Sequence, residues 1–308
     1  MARLNISIPS DLYPLAVKWR RRVNLSEICS RALREELEAA EQQRSANALF
    51  EALRPPADAD RELAEALGLR EARVLDDVPR REDLRESLGR LAASYLERTL
   101  GDGSLLAIAG GRQMWCLVRN LRPRPLAVTV TALGVHQNDP RVLHAHANTL
   151  TTLLWLLFSP HAEAHLVGAE AVSSVWRTDL PKADYPRYFV VGSCAQFDPT
   201  GSFGSLIGAE RSDALRRSGA TGDFLYQFFG ESGELLDEAP FAGRDHSVLP
   251  RSLLAELSAR EDARVILVGG GKEKRDVVRH AVAARLCNTL VTDPATAEFL
   301  RTEAREAK

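Results

Sequence analysis

The sequence predicts an α/β protein in two parts: a strand–helix–helix unit over residues 1–42 and a larger α/β domain over 60–308, joined by a linker at 43–59. Three observations carry this. Through 60–308, short apolar runs recur between longer amphipathic segments, and alternating strands and helices with apolar strands imply a mostly parallel sheet covered on both faces. Residues 3–8 instead alternate polar and apolar before Pro9, the pattern of a half-buried strand. Between the two textures, Ala52-Leu53-Arg54-Pro55-Pro56-Ala57-Asp58 carries a double proline, a helix stop and stiff spacer.

In the N-terminal strand, Leu4, Ile6 and Ile8 would face a core, while Arg3, Asn5 and Ser7 would face out, and all three can hydrogen-bond to base edges. Two short helical patterns follow: Leu12, Leu15, Ala16, Trp19 and Val23, then Ile28, Cys29, Ala32, Leu33 and Leu37. So small a unit cannot bury a core alone. It makes sense as a dimer that pairs its strands and interleaves its helices. Between the helices, Asn24 is a good N-cap with Glu27 three residues on, so the amides around Asn24, Leu25 and Ser26 suit a phosphate. Residues 1–34 hold seven basic side chains against Asp11 and Glu27, in a chain of net charge -2. The plainer alternative is an edge strand with a solvated helix pair.

The larger part reads in order as a helix at 62–67 closed by Gly68, a strand at 72–75, a helix at 81–100 and a strand at 105–109. Gly110-Gly111 then opens a helix at 112–121, broken by Pro123 and Pro125. A strand follows at 126–131, a helix at 145–158 and a strand at 188–192. The end reads as strand 264–268, helix 272–286, strand 289–292 and helix 294–305. Ligands of such sheets sit at the carboxyl ends of the strands. Three such ends stand out: Ile108-Ala109-Gly110-Gly111-Arg112-Gln113, Gly219-Ala220-Thr221-Gly222-Asp223-Phe224 ahead of a strand, and Val268-Gly269-Gly270-Gly271-Lys272-Glu273-Lys274. Glycines there permit close backbone approach, and helix starts favour anions. Each could also be a plain turn, and neither the P-loop nor the dinucleotide spacing is present.

The four cysteines, Cys29, Cys116, Cys194 and Cys287, are scattered, without a C-x-x-C pair or Cys/His cluster. Reduced cytoplasmic thiols and no metal are therefore expected. No signal peptide is visible. The longest apolar run, 153–158, is too short to span a bilayer and reads as a buried helix or a subunit interface. His161 and His165 have a spacing of four, but Pro160 and Gly168 leave the region too short for a helix, and His136 is the better polar candidate.

The strand, helix pair and Arg22-Val23-Asn24-Leu25-Ser26-Glu27 turn of residues 1–42 resemble the ribbon-helix-helix DNA-binding family. That resemblance implies a two-stranded ribbon in the major groove, with Arg3, Asn5 and Ser7 reading bases and an obligate dimer. Residues 60–308 resemble the SorC-type effector-binding domain of sugar-sensing regulators. The likeness rests on Ala92-Ala93-Ser94-Tyr95-Leu96, on the strand and turn at 106–113, and on Gly219-Ala220-Thr221-Gly222-Asp223. It continues with Gly270-Gly271-Lys272-Glu273-Lys274 and with Asn288-Thr289-Leu290-Val291-Thr292-Asp293 followed by Thr296-Ala297. The implied fold is Rossmann-like and three-layered, and the implied ligand is a phosphorylated sugar or polyol. By the same resemblance, Gly111, Arg112, Gln113, Gly134, His136, Gly222, Asp223, Gly270, Gly271 and Lys274 line the effector site. Arg112 and Lys274 would meet one anionic group, helped by amides near Gly111 and Gly271. Three departures are visible: Gln113 replaces the family's threonine, Leu133-Gly134-Val135-His136-Gln137-Asn138 stands with bulkier polar groups where the family has a second glycine-rich turn, and the family's usual DNA-binding unit is a helix-turn-helix.

Together these imply a ligand-responsive transcription regulator with operator DNA and a small-molecule effector as partners. It would need no cofactor and no catalytic residues, and would form a dimer at minimum, with a tetramer expected. The alternative is a sugar-phosphate isomerase or hydrolase with an N-terminal dimerisation module.

Overall fold

The strongly apolar runs of the larger part lie side by side in one sheet. The computed structural model describes residues 58–76, 80, 82–135, 140–166, 185–197, 209–236, 246–247 and 249–306. The chain divides into two units, Met1–Phe50 and Glu51–Lys308, and all described residues belong to the second. The ribbon-helix-helix expectation, with Arg3, Asn5, Ser7, Asn24, Leu25 and Ser26, lies outside the described residues, as does His136.

Among the described residues seven strands run parallel: β1 (Glu71–Val74), β2 (Leu105–Ala109), β3 (Thr129–Val135), β4 (Glu163–His165), β5 (Tyr188–Gly192), β10 (Ala263–Val268) and β11 (Thr289–Thr292). Their spatial order is β1-β11-β10-β5-β2-β3-β4, with β9 (His246–Ser247) antiparallel to the end of β3. Read from β4 to β11, this is the doubly wound order 3-2-1-4-5-6, with β1 added beyond β11. A small antiparallel sheet of β6 (Cys194–Gln196), β7 (Gly222–Phe224) and β8 (Gln227–Phe229) continues from the end of β5.

Successive strand residues bury against opposite helical layers. Val265, Leu267, Ala107, Val190 and Leu290 pack with α1 (Asp58–Leu67), α6 (Arg251–Ala259), α7 (Arg275–Ala283) and α8 (Pro294–Glu306) through Leu63, Leu254, Val278 and Leu300. Ile266, Val268, Ile108, Val191 and Val291 pack with α2 (Leu84–Thr99), α3 (Arg112–Asn120) and α4 (Ala147–Phe158) through Leu88, Tyr95, Leu117 and Leu154. A further helix, α5 (Ala209–Arg217), precedes β7. Among the described residues no helix is long and apolar enough to cross a membrane.

At the edge, Asp60 ties α1 to β1. Its carboxylate accepts the Val74 N–H at 2.9 Å and an Arg73 guanidinium N–H at 3.1 Å, and both side chains are buried. On the opposite face Glu97 accepts both the backbone N–H and the Nε–H of Arg122.

Several expected boundaries move for local reasons. The strand expected at 126–131 is Thr129–Val135. The residues before it form an extended connector: Pro123 and Pro125 lack donors, and Glu97 and Asp102 hold the N–H groups of Arg122 and Ala127. The helix expected at 272–286 is Arg275–Ala283: residues 272–274 form a turn closed by Lys274 N–H on the Gly271 carbonyl, and Arg285, at φ 55°, ends it in the left-handed region. Residues 222–224 are themselves a strand rather than a turn ahead of one. The residues before α4 form a 3-10 turn, Pro140–Ala145. His161 lies in a bend and His165 in β4, so they share no helical face.

Candidate functional site

Because β2, β5 and β10 are parallel neighbours, their carboxyl ends share one rim. After β2 the chain crosses to β3 on one side, while β5 begins the run toward β10 and β11 on the other. The switch point therefore lies between the ends of β2 and β5, where a crevice opens in folds of this order. The turn at Gly110-Gly111 forms one bank. Ser193, directly after β5, sits at the floor. The turn 269–274 after β10 and the small sheet β6–β8 form the other bank.

The small sheet brings Asp223 to the rim. Asp223 lies opposite Ala195 in the β6–β7 ladder, and β7 packs on α7. Gly222 makes that approach possible: a Cβ there would overlap the Val277 side chain and the Ala195 carbonyl. The β7–β8 loop is two residues, Leu225 and Tyr226, at φ 50° and 64°. Such hairpin loops need positive φ and favour Asn and Gly, so a leucine here is strained. Two contacts hold it. The Asp223 carboxylate accepts the Tyr226 N–H at 3.0 Å, and the buried Leu225 side chain lies over Gly192.

Asp223 is 8% exposed. Burial pushes its carboxyl up to about 7, against the lowering effects of the Tyr226 N–H and of the nearby Lys274 ammonium. Lys274, half-buried, occupies the N-cap of α7. Beside the pair, burial pushes the Cys194 thiol up to about 11, so it is no nucleophile at neutral pH.

The glycine turns are built differently from the sequence expectation. The Gly271 N–H is already donated to Asp293 Oδ2 at 2.8 Å and to Thr296 Oγ1 at 3.1 Å. Asp293 Oδ1 at the same time accepts the N–H groups of Ala295 and Thr296, capping α8. Gly270 has no room for a Cβ because Asp293 Oδ2 occupies it. The Gly111 N–H is likewise donated to the Ala145 carbonyl at 2.8 Å. Neither amide is left over for an anion. Asp293 and Thr296, which organise the turn, follow the signal of a capping Asp ahead of Pro at the first helical position.

Arg112 is exposed at the start of α3, and Lys274 precedes α7. Those helices cover opposite faces of the sheet. With β5 between their strands, the strand ends are about 10 Å apart. Arg112 and Lys274 thus start from turns on either side of β5, and the Lys274 ammonium lies near enough to the Asp223 carboxyl group to favour its ionised form. Gln113 is buried and donates its amide to the Arg85 carbonyl at 2.9 Å, fastening α3 to α2. Gly134 pairs with Ser247 at the end of β3. Sequence reasoning passed over Ser193, which belongs to no glycine or charge motif.

Residues 53–164 match the family model described as "Putative sugar-binding domain". The chain is 26% identical over 266 residues to the deoxyribonucleoside regulator of Bacillus subtilis (strain 168), covering 77% of each chain. It is 25% identical over 259 residues to the sorbitol operon regulator of Klebsiella pneumoniae, covering 78% of this chain and 79% of the other. The crystal structure of full-length SorC from Klebsiella pneumoniae aligns with TM-score 0.63 at 23% identity, covering 79% of this chain and 80% of that one. A transcriptional regulator from Streptococcus pneumoniae TIGR4 aligns at 0.62 and 17% identity, covering 79% and 95%. The larger unit has the fold that these structures share.

Proposed function

We propose that this chain is a ligand-responsive transcription regulator whose larger unit senses a phosphorylated sugar or a similar phosphorylated polyol. The observation that carries this reading is the strand order, which brings the turns holding Arg112 and Lys274 to one rim at the switch point, with the buried Asp223 carboxyl group of the β7–β8 hairpin near Lys274. A cation at each side suits the negative end of such a ligand in either orientation, and the carboxyl group of Asp223 suits a sugar hydroxyl. The similarity to the deoxyribonucleoside regulator and to the sorbitol operon regulator supports the same reading.

In this reading, residues 1–42 form the ribbon-helix-helix dimer expected from the sequence, Arg3, Asn5 and Ser7 read the operator, and two dimers associate through the larger unit. The effector acts by preferring one arrangement of the DNA-bound assembly, since a ligand that binds both arrangements equally shifts neither.

Two measurements on the full chain test this. Ribose 5-phosphate and glucose 6-phosphate, titrated against their unphosphorylated sugars, should raise the melting temperature, because a ligand that binds only the folded state stabilises it. Lys274→Ala should remove most of that gain. A selected operator fragment should lose specific binding with Arg3→Ala or Asn5→Ala, each worth about 1–3 kcal/mol per contact and present twice in a dimer. No thermal response to any phosphorylated sugar, or an operator indifferent to both N-terminal variants, refutes the corresponding half.

A further inference from the structure

The chain crosses the middle of the crevice at Ser193. This residue joins the end of β5 to the start of β6, and β5 is the strand between β2 and β10. A ligand that reaches from the Lys274 bank toward the Arg112 bank must pass over it. The Ser193 hydroxyl points across the switch point: a Cβ on Gly111 would lie 3.7 Å from Ser193 Oγ, an ordinary van der Waals separation. The space between the two turns is thus lined on one side by backbone without a side chain and on the other by a hydroxyl. Ser193 is half-buried, and among the described residues its hydroxyl has no hydrogen-bond partner. Its neighbours are committed elsewhere: Gly192 lies under Leu225, Cys194 is buried, and the Gly111 N–H is taken by Ala145.

We propose that Ser193 contacts the effector and sets its specificity, its hydroxyl exchanging a hydrogen bond with a hydroxyl or carbonyl oxygen of the polyol portion. This rests on the reading of the crevice as the effector site. A serine hydroxyl both donates and accepts, so it suits a sugar oxygen in either role. Its place after β5, between the strands that lead into Arg112 and Lys274, assigns it the uncharged middle of the ligand.

The test is calorimetric titration of the full chain with ribose 5-phosphate and glucose 6-phosphate, in wild type, Ser193→Ala and Ser193→Thr. Melting temperatures without ligand confirm that both variants fold. Loss of one neutral hydrogen bond should weaken the preferred ligand about 3- to 10-fold in Ser193→Ala, whereas Ser193→Thr, which keeps a hydroxyl, should stay close to wild type. Equal affinity in wild type and Ser193→Ala, or equal losses in both variants, overturns this proposal while leaving the effector site standing. A wild-type chain that binds no phosphorylated sugar overturns the effector reading, and this proposal with it.

Discussion

Replacing Asp223 by asparagine should make the protein more stable, and increasingly so as pH rises. The substitution keeps a side-chain oxygen that can accept the Tyr226 N–H, and removes only the ionisable proton. In the folded chain the carboxyl titrates at about 7, against an ordinary 3.8. The folded state therefore holds this proton more tightly than the unfolded state. Between those two values, raising the pH costs stability, and above the upper one the loss is complete. With 1.36 kcal/mol per unit, the wild type gives up about 1.5 kcal/mol by pH 5 and about 4 kcal/mol by pH 8. The stability gap between Asp223→Asn and wild type should thus widen by about 2–3 kcal/mol between those conditions. Urea unfolding of both proteins at pH 5, 6, 7 and 8, followed by tryptophan fluorescence, measures it, and other titrating groups cancel in the comparison. In a Lys274→Ala background the gap at pH 8 should grow, because Lys274 favours the ionised form. A gap that stays constant with pH refutes the burial argument, and so removes the reason for treating Asp223 as a poised polar group.

Two further outcomes follow from packing. Gly222→Ala should destabilise the larger unit by about 1–3 kcal/mol, since the added methyl overlaps Val277 and the Ala195 carbonyl; denaturant midpoints check it, and the loss should be accompanied by weaker sugar-phosphate binding because the hairpin must lift from α7. Asp60→Ala should cost about 3–5 kcal/mol, because it strands the buried Arg73 guanidinium and the Val74 N–H; a change below 1 kcal/mol in the same assay would mean that the edge tolerates an unpaired charge.

The central sheet was legible because its inner strands are buried on both faces, whereas the exposed edge strand β4 went unread. The runs 105–109 and 188–192 are largely apolar and 289–292 pairs Leu290-Val291 with β-branched threonines, and their bounds coincide with β2, β5 and β11. What was not legible is the material that builds the crevice wall. The strands β6, β7 and β8 have three residues each, too few for any period, and their pairing depends on glycines that admit α7 and Leu225. The helices α5 and α6 went unread: α5 carries Arg211, Arg216 and Arg217 with few apolar positions, and α6 follows directly on Pro250. At the site, charge and glycine motifs pointed to Asp223, Lys274 and Arg112. They did not reveal that the Gly111 and Gly271 N–H groups are already donated within the fold, because the acceptors, Ala145 and Asp293, lie far along the chain. Ser193 was invisible for a simpler reason: a lone serine after a strand carries no pattern.

The pairing of β1 with β11 has a consequence for how the molecule is made. Glu71 to Val74 align with Thr289 to Thr292, and α1 is bound to α8 through Leu63, Leu300 and the Arg301–Glu62 ion pair. The first-synthesised elements of this unit thus find their partners among the last. A nascent chain on the ribosome can assemble β2, β3 and β4 while α1 and β1 still wait with an apolar face uncovered, and closure comes only once the final strand has left the exit tunnel. A chain cut short before β11 would lack not only its own end but the seat of α1 and β1.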